Sequence, residues 1–332
     1  MVLAHETWFV DRIPPSDWGF AFQAATLVLL ASALLIALGM RLAARFRGGL
    51  DIAWLARMAP FMPFVARIHV AVSLLSLLSL GYYLSPSQHL AKSPAGFALG
   101  ALMVLTAIGF ASGFHTREAA WLLLASGPIG MVVFGISPIV QRFDLAGLAV
   151  FVLLAGPGRW SADHELGRVR APTAERLGLA LLALRVGLGS ALIVVAFVEK
   201  LAKPALAREF LHQLPAFNLA HDLGLPLGED SYIRIAGAIE VLFGLLVISG
   251  ALPQLVVLGA GIPFNLTLFF LGSDELAGHL PIYGALLMLL VYGSDPALRP
   301  LCSRLDVGRL LERGTGGASA AGITPRARIP SD

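Results

Sequence analysis

The stretch GAIEVLFGLLVISG (237–250) carries one carboxylate, Glu240, in an otherwise apolar run. An ionised side chain in such a setting is costly unless it is paired. A partner stands at the end of another apolar run, where Lys200 follows Glu199, and three further polar groups, Asn265, His279 and Tyr283, fall in or at the start of two more. Two kinds of role fit this set. It can form a polar pocket that binds a ligand through Glu199, Lys200, Glu240, Asn265, His279 and Tyr283. A partly buried Glu240 would then relay protons as the acid–base group, with His279 at the entrance as the second catalytic candidate. Alternatively, Glu240 and Lys200 form a buried ion pair that fixes helix register and does no chemistry. Phe264, Phe269, Phe270 and Tyr283 admit a parallel choice, between a wall on which a cofactor ring stacks and ordinary packing.

The elements that must position these groups are membrane helices. The chain has 332 residues, of which 57% are hydrophobic and only 14% charged, against about 25% charged in average soluble domains. Nine apolar runs approach the ~20 residues that span a bilayer: 20–40, 63–84, 95–114, 119–140, 143–157, 177–198, 235–250, 252–272 and 280–293. The fifth and ninth are short. The expected fold is all-α, a polytopic membrane helix bundle of about nine transmembrane helices. Membrane lipid is the expected surroundings. The net charge of +3 reflects Arg-rich loops and not a nucleic-acid surface. No signal peptide is expected at the start, which lacks a basic segment followed by an apolar one. Cys302 is the only cysteine, which excludes a CxxC redox motif, an internal disulfide and a structural zinc site, and no metal is expected. Neither a GxxxxGK[ST] nor a strand-associated GxGxxG nucleotide loop is present.

Loop charge predicts the topology. Arg41, Arg45, Arg47 and Arg57 follow the first run, Arg159, Arg168, Arg170 and Arg176 the fifth, and Arg299, Arg304, Arg309 and Arg313 the last. The positive-inside rule makes all three clusters cytoplasmic, with the N-terminus and the 201–232 loop outside and the C-terminus inside. In that loop Phe210, Leu211, Leu214, Phe217 and Leu219 suggest either an interfacial amphipathic segment or a cover over the outer mouth. The tail 312–332 reads as disordered.

The chain also shows an internal likeness. Arg67 and Pro86 match Arg185 and Pro204 at an offset of 118, and Gly100–Gly113 matches Gly237–Gly250 at 137, a register kept by Gly135, Gly147 and Gly156 against Gly272, Gly284 and Gly293. The expected organisation is therefore an N-terminal helix with a linker (1–60) and two parallel four-helix repeats, a degenerate one at 61–160 and a second at 176–296. Where the second has Lys200, Glu240, Asn265 and His279, the first has Tyr82, Met103, Pro128 and Arg142. The charge belongs to one copy, which favours a site there, opening outward. Arg67 and Arg185 occur in both copies and read as structural or headgroup-seeking.

The second half resembles the DoxX/DoxD-like superfamily of small four-helix membrane proteins. The residues that carry the resemblance are LRVGLGSALIVVAFVEKLAKP (184–204), GAIEVLFGLLVISGALPQLVVL (237–258) and YGALLMLLVYG (283–293), with Arg185, Gly187, Lys200, Gly237, Glu240 and Gly250 at the family's positions. The doubled length and the segment GSDELAGHLPIYG depart from an ordinary member. The resemblance implies a bacterial inner-membrane protein that serves a quinone-linked or other redox system, with a redox protein as partner and a quinone as the possible cofactor. Distant relatives act as receptors for protein cargo, so a non-catalytic binding or transport module, or a structural scaffold, stays open beside it.

Overall fold

A computed structural model of the chain describes residues 5–10, 13–46, 48–218, 224, 226–303 and 305. Arg47, Leu219, Arg304, Arg309, Arg313 and the tail 312–332 lie outside the described residues. The chain is an all-α, polytopic membrane helix bundle. Its principal helices are α1 (Ala24–Ala43), α2 (Met62–Ser79), α3 (Pro94–Ser112), α4 (Thr116–Phe134), α5 (Phe143–Ala155), α6 (Ala174–Val195), α7 (Pro204–Gln213), α8 (Glu229–Ser249), α9 (Pro253–Leu271) and α10 (Ser273–Ser294). Among the described residues eight helices are long and apolar enough to cross a membrane, while α5, the fifth expected run, has 13 residues.

Two boundaries differ from the hydropathy reading. Helix α8 starts at Glu229, because Glu229 and Asp230 in its first turn suit the positive end of the helix dipole. Helix α10 starts at Ser273, well before residue 280, because Glu275 and His279 are buried inside the bundle. They lower the local hydropathy without facing solvent or lipid.

Helices α2, α5, α6 and α10 pack at the centre, with α5 on α6 and α2 on α10, while α1 lies against α8. Glycines permit the closest approaches: Gly147 of α5 faces Gly187 of α6, and Gly189 of α6 faces Gly244 of α8. Small residues let backbones meet where lipid supplies no hydrophobic drive for helix association. The core is continuous, from Met62, Leu74 and Phe110 through Phe151 and Leu184 to Phe264 and Met288.

Arg67 and Arg185 are fully buried, so neither seeks headgroups. Arg67 donates to the carbonyls of Phe110 (2.8 Å), Pro157 (2.9 Å) and Trp160 (2.7 Å), tying the ends of α3 and α5 together. Its guanidinium rests on Gly113, as that of Arg185 rests on Gly250. Both glycines terminate helices with φ of 66° and 63°, and a side chain at either would strike the guanidinium. At the same end Arg299 donates to Leu50 O (2.8 Å) and Arg41 to Ser303 O (2.7 Å), which joins the linker after α1 to the end of α10.

The opposite end is closed. Helix α7 lays Leu206, Phe210 and Leu211 over the bundle against Val10, Phe20, Tyr232 and Ile233. Its polar side meets the start of α8 through Arg208–Asp230 (2.7 Å) and His212–Glu229 (3.2 Å). The apolar residues Phe210, Leu211, Leu214 and Phe217 of this segment thus fold over the end of the bundle.

Candidate functional site

The site begins with a change of helical pitch. After Val195 helix α6 widens into a π turn, Ala196–Leu201, in which Ala202 N–H donates to Phe197 O five residues back (2.7 Å). Such turns concentrate at functional positions. Here the wider turn points the adjacent residues Glu199 and Lys200 both inward, where each is buried. Lys200 Nζ lies 3.0 Å from Glu240 Oε1, the contact expected from the sequence.

The same ammonium has a second carboxylate that hydropathy did not reveal. Glu6 Oε1 stands 3.3 Å from Lys200 Nζ, because a 3-10 turn, Glu6–Trp8, is tucked into the bundle. Thr7 Oγ1 donates to Glu199 Oε1 (2.6 Å) and Thr7 N–H approaches Glu199 Oε2 (3.4 Å). His5 Nδ1 lies 3.4 Å from Glu199 Oε1 and 3.3 Å from Gln141 Oε1. Glu199 therefore does not face an outer mouth. It anchors the N-terminal segment.

Helix α10 supplies the other wall. His279 Nδ1 is 3.1 Å from Glu275 Oε1, one helical turn earlier. Pro281 cannot donate to Ala277 O, and that carbonyl accepts instead from Ser73 Oγ (2.6 Å). The neighbouring Gly278 O accepts from Arg142 Nη1 (2.8 Å), whose other arm pairs with Asp144 (3.1 Å). The proline thus opens α10 where Arg142, from the first half, reaches the site. Rings fill the remainder. His5 and Trp8 stack at 4.1 Å with a 3° interplanar angle, His279 lies 5.2 Å from His5 and 5.0 Å from Trp8, and Phe264 meets His279 edge-on.

Two expected members do not belong. Asn265 is exposed and donates to Gly261 O on its own helix (2.7 Å), because its position on α9 faces away from α10. Tyr283 is half-buried and donates to Phe264 O (2.8 Å), so it joins α10 to α9 and not to the carboxylates. Phe269 and Phe270 are largely exposed and form no wall with Phe264. His279, expected at an entrance, is 1% exposed and sits deep. The residues missed were His5, Glu6, Thr7, Trp8, Gln141 and Glu275. A signal existed for Glu275, whose four-residue spacing from His279 puts both on one helix face. For the N-terminal segment the only hint was the density of polar types in AHETW.

The electrostatics follow from a count. Glu6, Glu199, Glu240 and Glu275 face Lys200, His5 and His279, all of them no more than 4% exposed. Even with both imidazoles charged, four carboxylates exceed three cations, and the adjacent Arg142–Asp144 pair cancels itself. Buried net charge is costly, so the cluster holds protons beyond that of the lysine. Burial pushes the Glu6 carboxyl up to about 8 against the downward pull of Lys200. Burial likewise pushes the His5 imidazole down, opposed by Glu199. The outward-opening pocket expected here is filled. What borders the cluster is two cavities of about 10 Å³ each, one beside Glu6 and Lys200 and one between His5, Glu240, Phe264 and His279. Each is close to the space of one water molecule. Among the described residues no group of three His, Cys, Asp or Glu is placed to hold a metal ion.

No protein-family model, no curated protein and no solved structure matches the chain.

Proposed function

We propose that this is a proton-exchanging membrane subunit of a quinone-linked redox system, a bacterial inner-membrane protein of the DoxX-like type with its N-terminus outside and its C-terminus cytoplasmic. The observation that carries the reading is the surplus of buried carboxylates gathered around Lys200. Such a cluster gains or loses protons whenever its surroundings change, which is what a partner of a two-electron, two-proton carrier requires. Glu240 and Glu6 share the ammonium and hold the exchangeable proton. His279 and Glu275 form a second acid–base pair 5.2 Å from the His5 ring, and they extend the path across the bundle.

The family reading draws support from matched details in the two halves. Gly113 and Gly250 end their helices in the same left-handed conformation against an arginine, and His115 and Leu252 begin the next helices with φ of 50° and 45°. The pairing of α2 with α10 and of α5 with α6 is what two parallel four-helix repeats would give about an axis along the membrane normal.

The test is infrared difference spectroscopy on protein in lipid nanodiscs, with decylubiquinol added. The expected result is saturable binding and a change in the protonated-carboxyl band that disappears in Glu240→Gln and in Glu6→Gln. Binding without any carboxyl change would leave the cluster a register-fixing ion-pair network and overturn the proton-exchange reading. No binding would overturn the quinone link.

A further inference from the structure

The ring pair of the N-terminal segment sits in a slot of unusual construction. One wall is the His279 ring, itself braced edge-on by Phe264. The floor is the backbone at Gly278, where a β-carbon would overlap the outer edge of the Trp8 indole. Glycine is a poorer helix former than alanine, and here it admits a flat ring against the helix. At the ring edge two oxygens converge on one nitrogen, Glu199 Oε1 and Gln141 Oε1 both facing His5 Nδ1. Both can accept a proton donor. The adjoining cavity carries Glu240 and His279, whose Oε2 and Nε2 have no hydrogen-bond partner among the described residues. The segment is held mainly by polar contacts to this same set, Thr7 and His5 on Glu199 and Glu6 on Lys200.

We propose that this slot is a binding site for a planar aromatic or heteroaromatic ring with an N–H or O–H donor on its edge and no negative charge, and that His5–Trp8 is its resident intramolecular occupant. Flatness follows from the stacking distance and from Gly278. The donor follows from the two acceptor oxygens, and the exclusion of anions from the four carboxylates. The inference rests on the proton-exchange reading in one respect, that the ring's donor would meet Glu199. Occupancy by the chain's own segment keeps Glu199 hydrogen-bonded while no ligand is present.

The experiment replaces Pro14–Ser16, an accessible stretch outside the cluster, with a site-specific protease sequence in full-length protein carrying Cys302→Ser and Ala191→Cys. Ala191 lines the cavity beside His279. The folded protein is cut in nanodiscs, washed, and treated with a charged thiosulfonate reagent. Release of the segment, followed by mass, should raise labelling by at least about tenfold, the factor that about 1.4 kcal/mol of lost closure gives. Indole and duroquinol should then protect the cysteine, and duroquinone, which lacks the donor, should not. Unchanged labelling after release, or protection by duroquinone equal to that by duroquinol, would overturn the proposal. Uncut protein carrying His5→Ala with Trp8→Ala gives a second measurement: indole should raise its melting temperature and leave that of the wild type alone, and no shift overturns the assignment. If proton exchange were wrong while the slot is right, protection by indole would persist and the carboxyl band would not change on adding duroquinol.

Discussion

Lys200 should matter more to stability than either carboxylate that shares it. Its Nζ lies 3.0 Å from Glu240 and 3.3 Å from Glu6, and at an effective dielectric of about 20 an ionised carboxylate at either distance supplies about 5 kcal/mol of gross attraction before desolvation. Glu240→Gln removes one charge but leaves the ammonium facing Glu6 and an amide oxygen able to accept from it, so the net cost should be about 1–1.5 kcal/mol, that of an ordinary hydrogen bond. Glu6→Gln should cost a similar amount. Changing both carboxylates takes both of these partners from a buried ammonium and should cost about 3–5 kcal/mol or more, beyond the two single effects added. Lys200→Met should also reach that upper range, because it brings two carboxyls together with no cation between them. The paired change Glu240→Met with Lys200→Tyr copies Met103 and Tyr82 at the matching positions of the first half. It should cost less than Lys200→Met, since Glu6 alone can take a proton. Reversible unfolding in mixed detergent–SDS micelles, followed by tryptophan fluorescence, measures all of these on one scale. If Lys200→Met were no worse than Glu240→Gln, or if the two carboxylate effects simply added, the shared-ammonium account would be refuted.

Glu6 predicts a pH dependence. Its folded-state value of about 8 lies above the ordinary 4.5, so the folded protein binds this proton more tightly than the unfolded chain. The contribution is full below about pH 4.5 and is lost as pH rises through about 8. Lys200, Glu199 and Glu240 face the group, and the slope should flatten in Glu6→Gln when unfolding free energy is compared between pH values in that window. Arg67→Met leaves the carbonyls of Phe110, Pro157 and Trp160 without their donor. At about 1–3 kcal/mol for each unsatisfied group the protein should melt far lower in detergent, and Arg67→Lys should recover only part, since an ammonium lacks the planar fork. Asn265→Ala should change stability by no more than about 0.5 kcal/mol and leave quinol binding intact, because the exposed side chain donates to Gly261 O within its own turn.

The sequence by itself determined the class of the protein and most of its helices, because the cost of burying backbone and charge in lipid is written locally, residue by residue, in hydropathy. It also determined the Lys200–Glu240 pair, since two opposite charges in apolar helices have few other ways to be tolerated. Local reading failed where neighbours in space are distant in the chain. Glu6 and Lys200 are separated by more than half of the chain, and a polar stretch such as AHETW is indistinguishable in isolation from a solvated end. Only the packed bundle shows that its charges are matched by a lysine and a carboxylate already paid for by helix packing. The start of α10 shows the same limit, since Glu275 and His279 look like a loop until the tertiary fold buries them against α2, Arg142 and the Trp8 ring. Asn265 shows the converse. Depth along a helix can be counted from sequence at 1.5 Å per residue, but the face a residue presents is fixed by which helices its own helix packs against, and α9 turns Asn265 away from the cluster.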